Sequence, residues 1–405
     1  MSETAELPKP KGNGKALGVL FLTVVLDLVG FGIVIPLQTF FALQFNATAL
    51  QVTLLMSCYS LAQFVAAPVW GQLSDRFGRR PMLLLSIGMT SLMLAGFASS
   101  TSLAMLFFFR TLHGIMTANI TIAQACVADL TTRENRAKGM GLIGAAFGIG
   151  FTLGPFIGGE FAAHADGTSA LSTPIWIAAG LSAFNFLLAT VLLPETRRPD
   201  SESARRSISL TAMVEALSHP VVGLCVLLTF LQVFAFSMME ATFTLFAHDV
   251  HGLEPKDVGR MFGLVGIVSI VVQGGLIGRL VKRFGEKPLV PAGLLLVGLG
   301  TALLPSMPLG APILIAFGVM GMGQSLANPS LSALISKAAS ADQQGKTLGA
   351  AQSMSALARA FGPAFGGLLY GATQPSMPFY VSGGLLLCGV VLAIPATARA
   401  TTGPT

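Results

Sequence analysis

The chain has 405 residues, of which 53% are hydrophobic and only 10% charged, and its mean hydropathy is +0.74. Soluble domains carry roughly 25% charged residues, so a water-soluble globule is excluded. A disordered chain is excluded too, since it would combine low hydrophobicity with high charge. The net charge of +6 is not a nucleic-acid footprint, because the basic residues sit in short clusters between apolar runs.

Those runs are about 20 residues long, the length a helix needs to cross a hydrocarbon core of ~30 Å. Twelve spans are expected near 16–39, 48–70, 81–99, 102–127, 138–160, 173–193, 221–246, 258–278, 288–305, 310–334, 346–369 and 378–396. Span one lacks a small-residue cleavage pattern and reads as an uncleaved helix. Cys58, Cys126, Cys225 and Cys388 lie far apart inside the runs, which predicts buried free thiols. The one long polar stretch, 194–218, is a linker. It separates an N-terminal half (16–193) from a C-terminal half (219–396), with tails at 1–15 and 397–405.

Summed over alternate loops, Lys and Arg number 20 on one side; the other side has only Lys256 and Arg260. That asymmetry predicts a multi-pass protein of the cell (inner) membrane with both termini cytoplasmic. The halves also resemble each other. GQLSDRFGRRP (71–81) returns as GRLVKRFGEKP (278–288), and GPFIGG (154–159) as GPAFGG (362–367). Two matches at nearly one offset indicate a duplicated six-span unit, a layout of secondary transporters that bind substrate between the halves.

In the loop after span two, Gly71 and Gly78 permit a tight turn, and Asp75 lies among Arg76, Arg79 and Arg80. Positive-inside bias explains the arginines but not the acid among them. The pattern closely resembles the signature loop of the major facilitator superfamily. LDLVGFGIVIP (26–36), FFFRTLHGIMTAN (107–119), ADLTTRENRAKG (128–139) and GAAFGIGFTLGPFIGG (144–159) extend the likeness. They are similar to motifs of its twelve-span drug:proton antiporters of the tetracycline-resistance type. His113 departs from the pattern, which has Gln or a small residue there. The resemblance implies an all-α membrane fold of two pseudo-symmetric six-helix bundles. It also implies a proton role for Arg110 and a charge relay of Asp75, Arg79 and Asp129 that holds the cytoplasmic side closed. In the second half Lys282 stands where the acid should be, so the full motif occurs once.

The residues support a physical reading of their own. Asp27 lies about 17 Å into span one at 1.5 Å per residue, and Arg110 is similarly deep in span four. A charge at that depth faces a cavity and finds a partner, so the two are expected to face the central cavity together. A carboxylate disfavoured by burial but favoured by a guanidinium can load and release a proton; a static pair is the alternative. Glu240, inside span seven, is either a second proton or substrate carboxylate or a solvated group near the outer mouth. His113 shares a helical face with Arg110 and is either a relay member or a packed neutral histidine. Arg359 in span eleven is structural or coupling.

In span five Gly150, Gly154 and Gly158 recur every fourth residue beside Pro155 and Gly159, a smooth face for close helix packing. Gly362, Pro363, Gly366 and Gly367 repeat it in span eleven. Asn119, Gln124, Gln232, Gln273, Gln324, Asn328 and Gln352 either line the cavity or bond between helices. Gly345-Lys346-Thr347 lacks the first glycine and the strand of a phosphate loop, so no ATP site, cofactor or metal is expected. Dispersed histidines and the lack of a nucleophile motif argue against an enzyme. The reading is therefore a monomeric, proton-coupled exporter of amphipathic small molecules. A metabolite symporter or uniporter on the same fold is the alternative.

Overall fold

The computed structural model describes residues 13–131, 135–164, 171–196, 220–338 and 344–399. All regular structure among them is helical. The first half comprises α1 (Asn13–Leu43), α2 (Ala49–Phe77), α3 (Arg79–Ala98), α4 (Leu103–Met116), α5 (Asn119–Leu130), α6 (Arg136–Ala163) and α7 (Ser172–Leu192). The second comprises α8 (Pro220–His251), α9 (Pro255–Val271), α10 (Ile277–Phe284), α11 (Glu286–Leu303), α12 (Ala311–Ala338), α13 (Gln344–Ala372) and α14 (Met377–Arg399). Eleven spans among the described residues are long and apolar enough to cross a membrane. The twelfth, α13, is as long but richer in Gly, Ser and Gln and carries Arg359. Most of the expected linker lies outside the described residues.

Two expected spans are not continuous helices. Span four breaks at Thr117–Ala118 into α4 and α5, because Thr117 is extended (φ −88°, ψ 105°). Span eight passes through a π-helical turn at Val272–Leu276, around Gly274 and Gly275, before α10. The helices also run several residues past the apolar runs, since polar ends continue into the headgroup region: α2 reaches Phe77 rather than residue 70. Thr48 and Gln51 close a reciprocal capping box at the start of α2, and Ser102 caps α4.

The hydrophobic cores show how the halves sit. At the end remote from the basic loops, one core contains Val34, Leu55, Phe97 and Ile175 of the first half with Phe243, Phe262, Phe317 and Phe379 of the second. Toward the basic end the core divides in two. Leu20, Trp70, Ile87 and Val127 form one, and Val226, Val290, Leu331 and Ala351 the other. The halves are therefore joined at one end and part toward the other. They meet where α6 packs on α9 and α13 on α2. Large exposed apolar side chains such as Val191, Val391 and Ile315 belong to surfaces that lipid covers. Cys126 and Cys225 are buried free thiols as expected, but Cys58 is only half-buried and Cys388 is exposed. Its helix lies on the rim, where an apolar run faces outward.

The duplication is visible in the backbone. Gly78 (φ 103°) turns α2 into α3 and Gly285 (φ 76°) turns α10 into α11, each in a left-handed region that favours glycine. Arg76 lies over Phe77 and Arg283 over Phe284, each 5.3 Å from the ring centroid.

Candidate functional site

The break in span four organises the site. A helix interrupted inside a membrane exposes carbonyl and N–H groups that each cost about 1–3 kcal/mol if left unpaired. Here side chains of two neighbouring spans meet them. Trp70 Nε1 donates to the Ile115 carbonyl (2.7 Å), and Gln63 Nε2 to that of Thr117 (3.3 Å). Ser86 Oγ donates to the Met116 carbonyl (2.8 Å) and accepts from the Ala118 N–H (2.9 Å). Thr90 and Thr117 share a hydroxyl contact at 3.3 Å. Nothing in the local sequence of span four signals the break, since the polar groups that sustain it are on α2 and α3.

The break turns Asn119, the first residue of α5, toward α1, where its Nδ2 donates to Asp27 Oδ1. Both residues are buried. This corrects the expected pairing of Asp27 with Arg110. The carboxylate is held by a neutral amide, and Arg110 goes elsewhere. Its guanidinium lies 4.4 Å from the centroid of Tyr59 and 5.8 Å from that of Phe31, with Nη1 3.4 Å from His113 Nδ1. An aromatic face attracts a desolvated cation by up to ~2 kcal/mol, which lets the arginine stay inside without a carboxylate. His113 accepts that contact and packs its ring 5.1 Å from that of Tyr59.

Tyr59 is the residue the sequence reading missed. It lies within electrostatic range of Asp27 and Arg110 and also of Arg359 from the other half. It is one of only three tyrosines, and its place four residues before Gln63 within an apolar span was the available signal. Glu240 is buried, and Arg359, on α13, is the basic group acting on it. Of the two readings open for Glu240, its burial disfavours the solvated position near the mouth. That basic group is 119 residues away in sequence, beyond any local reading.

At the basic end Arg79 gathers the expected loop residues. Its Nη1 lies 2.7 Å from Asp75 Oδ1, and its Nε lies 3.0 Å from Asp129 Oδ2 on α5. Nη1 also donates to Ser74 Oγ (2.7 Å). All of these groups belong to the first half. Glu195, not singled out from sequence, accepts from the N–H groups of Arg79 (3.0 Å) and Arg80 (3.2 Å) at the α3 N-terminus, where an anion is favoured. Arg80 Nη2 donates to the Thr190 carbonyl (2.6 Å). Gly78 alone makes the turn, and a β-carbon on it would stand 2.6 Å from Glu195 Oε2. Gly71, expected to share in the turn, lies inside α2 with open space around it, because that helix runs on to Phe77.

The second half keeps one contact of this arrangement, with its signs exchanged. Lys282 corresponds to Asp75, Glu286 to Arg79, and Lys337, at the end of α12, to Asp129; Lys337 Nζ lies 2.6 Å from Glu286 Oε1. The motif looked absent from this half because an acid was sought, whereas the contact persisted under charge reversal.

The span-five glycines divide between two contacts. A β-carbon on Gly150 would meet Leu28 Cβ at 2.5 Å, and one on Gly154 the Gly32 Cα at 2.6 Å, so these face α1. Gly158 approaches the Ile33 carbonyl in the same way. Gly159 faces the other half, where a β-carbon would stand 2.7 Å from the Pro255 carbonyl and 3.2 Å from Gly259 Cα. Pro155 lies against both Gly32 and Gly259. Beside this seam Glu160 pairs with Arg260 (2.7 Å) and Lys256 (3.7 Å), the two basic residues of that side. On the opposite seam Gly367 packs on Thr53, and the Ala364 N–H donates to Ser57 Oγ (3.0 Å).

The remaining polar candidates separate as well. Gln232 Nε2 donates to Gln324 Oε1 (2.8 Å) within the second half, and Gln273 Nε2 to Ser325 Oγ (3.4 Å). Asn328 and Gln352 are exposed, as is Arg359.

The sequence profile of the Major Facilitator Superfamily matches residues 20–277 and 274–405. The chain belongs to that superfamily. This transporter is 32% identical to the class C tetracycline resistance protein of Escherichia coli, over 96% of this chain and 99% of that one. It is 28% identical to multidrug resistance protein 2 of Bacillus subtilis, over 93% and 94% of the two chains. The crystal structure of the human organic anion transporter MFSD10 (TETRAN) superposes with a TM-score of 0.71 at 27% identity, covering 95% of this chain and all of that one. A bacterial homologue of the human lysosomal transporter Spinster shares the fold, with a TM-score of 0.75 at 14% identity and 97% of both chains covered. The chain is thus a multi-pass membrane transporter of small molecules.

Proposed function

We propose that this transporter expels amphipathic small molecules in exchange for protons by alternating access, acting as a monomer with its basic end in the cytoplasm. The observation that carries the reading is Asp27, a buried carboxylate held by Asn119 at a break in span four. A charge in that setting is expensive unless it works. The full-length likeness to tetracycline and multidrug resistance proteins supports drug-like cargo. The parting of the halves at the basic end corresponds to a state that accepts substrate from the cytoplasm. Asp27, Arg110 and His113 form the proton side of the site, and Glu240 with Arg359 the opposing side. Asp75, Arg79 and Asp129 are bonded to one another within the first half while the basic ends part, so the relay does not close the cytoplasmic side by itself. Its gate role is to brace the α2–α3 loop on which closure depends.

The test uses inside-out vesicles with a pre-formed pH gradient and a panel of cationic dyes, tetracyclines and fluoroquinolones. At least one compound is expected to release lumenal protons. A panel without response sinks the drug-export reading. Asp75→Asn should slow that release severalfold while leaving substrate affinity in a direct titration unchanged. An equal loss of affinity would refute the gate role.

A second reading, carriage of an organic anion, is favoured by the exposed Arg359 and by the likeness to MFSD10. Proton movement evoked by organic anions but not by cationic dyes would select it.

A further inference from the structure

We propose that α5 is a rigid lever that carries the state of Asp27 to the gate, and that Ser86 is its pivot. This rests on the reading of Asp27 as the proton-loading group. The break at Thr117–Ala118 cuts span four so that α5 is a separate rod of 12 residues. Its first residue, Asn119, is bonded to Asp27, and its next-to-last, Asp129, is bonded to Arg79. One short helix therefore has the coupling carboxylate at one end and the gate relay at the other, about 15 Å apart at 1.5 Å per residue.

The junction is built to be held at a point and not along its length. Ser86 Oγ bonds both sides of the break, the Met116 carbonyl before it and the Ala118 N–H after it. Trp70 and Gln63 fix carbonyls on the α4 side and at the junction itself. With these groups satisfied, α5 can tilt relative to α4 without exposing unpaired backbone. At the far side of the joint, Asn119 Oδ1 is buried and has no partner among the described residues. Its amide is committed to α5 movement by the single bond to Asp27.

The charged and titratable groups around Asp27 are few. Tyr59 comes from α2, Arg110 and His113 from α4, and Arg359 from α13 beyond Tyr59. Among the described side chains the first-half neighbours α6 and α7 bring none: Glu160 of α6 lies at the far end on Arg260, and α7 has no charged residue. The change in Asp27 is therefore passed on through Asn119, its one hydrogen-bond partner among the described side chains.

Hydrogen–deuterium exchange of the full chain in lipid nanodiscs tests this without any substrate. Asp27→Leu and Asn119→Leu cut the same bond from opposite sides, so one can fail to fold without ending the test. Either is expected to speed exchange about fivefold in residues 72–80, at the gate, as well as in 119–131. Loosening confined to 119–124, with 72–80 unchanged, overturns the lever. Ser86→Ala should loosen 72–80 by itself, and adding Asn119→Leu to it should add nothing further. Fully additive effects would make Ser86 a structural residue only. Exchange reads the rod whether or not protons are carried. An unchanged gate therefore sinks the lever even if Asp27→Asn abolishes proton release. Persistent proton release in Asp27→Asn sinks the coupling role alone.

Discussion

Asp27→Asn is expected to abolish compound-driven proton release and to lower uphill transport by about 100-fold or more, the usual worth of a positioned proton-transfer group. The partner of Asp27 is the reason. An ion pair with Arg110 would hold the carboxylate charged, and proton uptake would leave a buried guanidinium uncompensated. With a neutral amide as partner and Arg110 resting on Tyr59 and Phe31, Asp27 gains or loses its proton without breaking an ion pair. Asparagine keeps the size and one acceptor, so the variant should fold and still bind substrate. Inside-out vesicles read the loss as an absent pH response. Glu240→Gln is the paired control. Release that survives in Asp27→Asn but vanishes in Glu240→Gln would move the coupling role to the second half.

The next largest effects come from two glycines of α6, five residues apart, that face different neighbours. Gly154→Leu drives a side chain into the backbone of α1, where the Val29 carbonyl would stand 2.7 Å from the new β-carbon. Backbone cannot yield as a flexible side chain does, so a loss of at least about 1–3 kcal/mol is expected, with a lower melting temperature in detergent. Gly159→Leu meets α9 of the other half instead, at the Pro255 carbonyl and Lys256 Cα. The first-half bundle is left intact while the closed seam is prised apart. The protein should melt normally, but a cysteine at Thr53, buried on the facing seam against Gly367, should react at least about tenfold faster with an impermeant maleimide. Unchanged labelling would mean that the seam does not part, and a melting loss equal to that of Gly154→Leu would mean that the two contacts are one unit.

The contrast between these glycines shows where sequence reading stops. The four-residue spacing of Gly150, Gly154 and Gly158 announced a smooth helical face, and Gly159, about 140° around the helix from Gly154, lies on another; which helix covers each face came only from the fold. The relay loop behaves similarly. Asp75 and Arg79 are four residues apart across the Gly78 turn and were legible as partners, whereas Glu195 at the α3 N-terminus is 116 residues from Arg79. Lys337 and Glu286 went unread because charge reversal keeps a contact while erasing its sequence signature. Glu160 has no sequence signal of its own; its pairing with Arg260 and Lys256 arises only where α6 and α9 are brought together.

By itself the sequence determined the solvent, the number of spans, the duplication and the family. These are local or periodic properties: run length is set by bilayer thickness, and a repeat survives as matching residues at a fixed offset. Tertiary structure alone decided which buried charges are partners, that span four is broken, and at which end the halves part. Those outcomes depend on side chains of separate helices competing for the same few polar groups in an apolar medium. Trp70 and Ser86 sustain a break 30 or more residues away, and Asn119 takes the carboxylate that Arg110 was expected to hold.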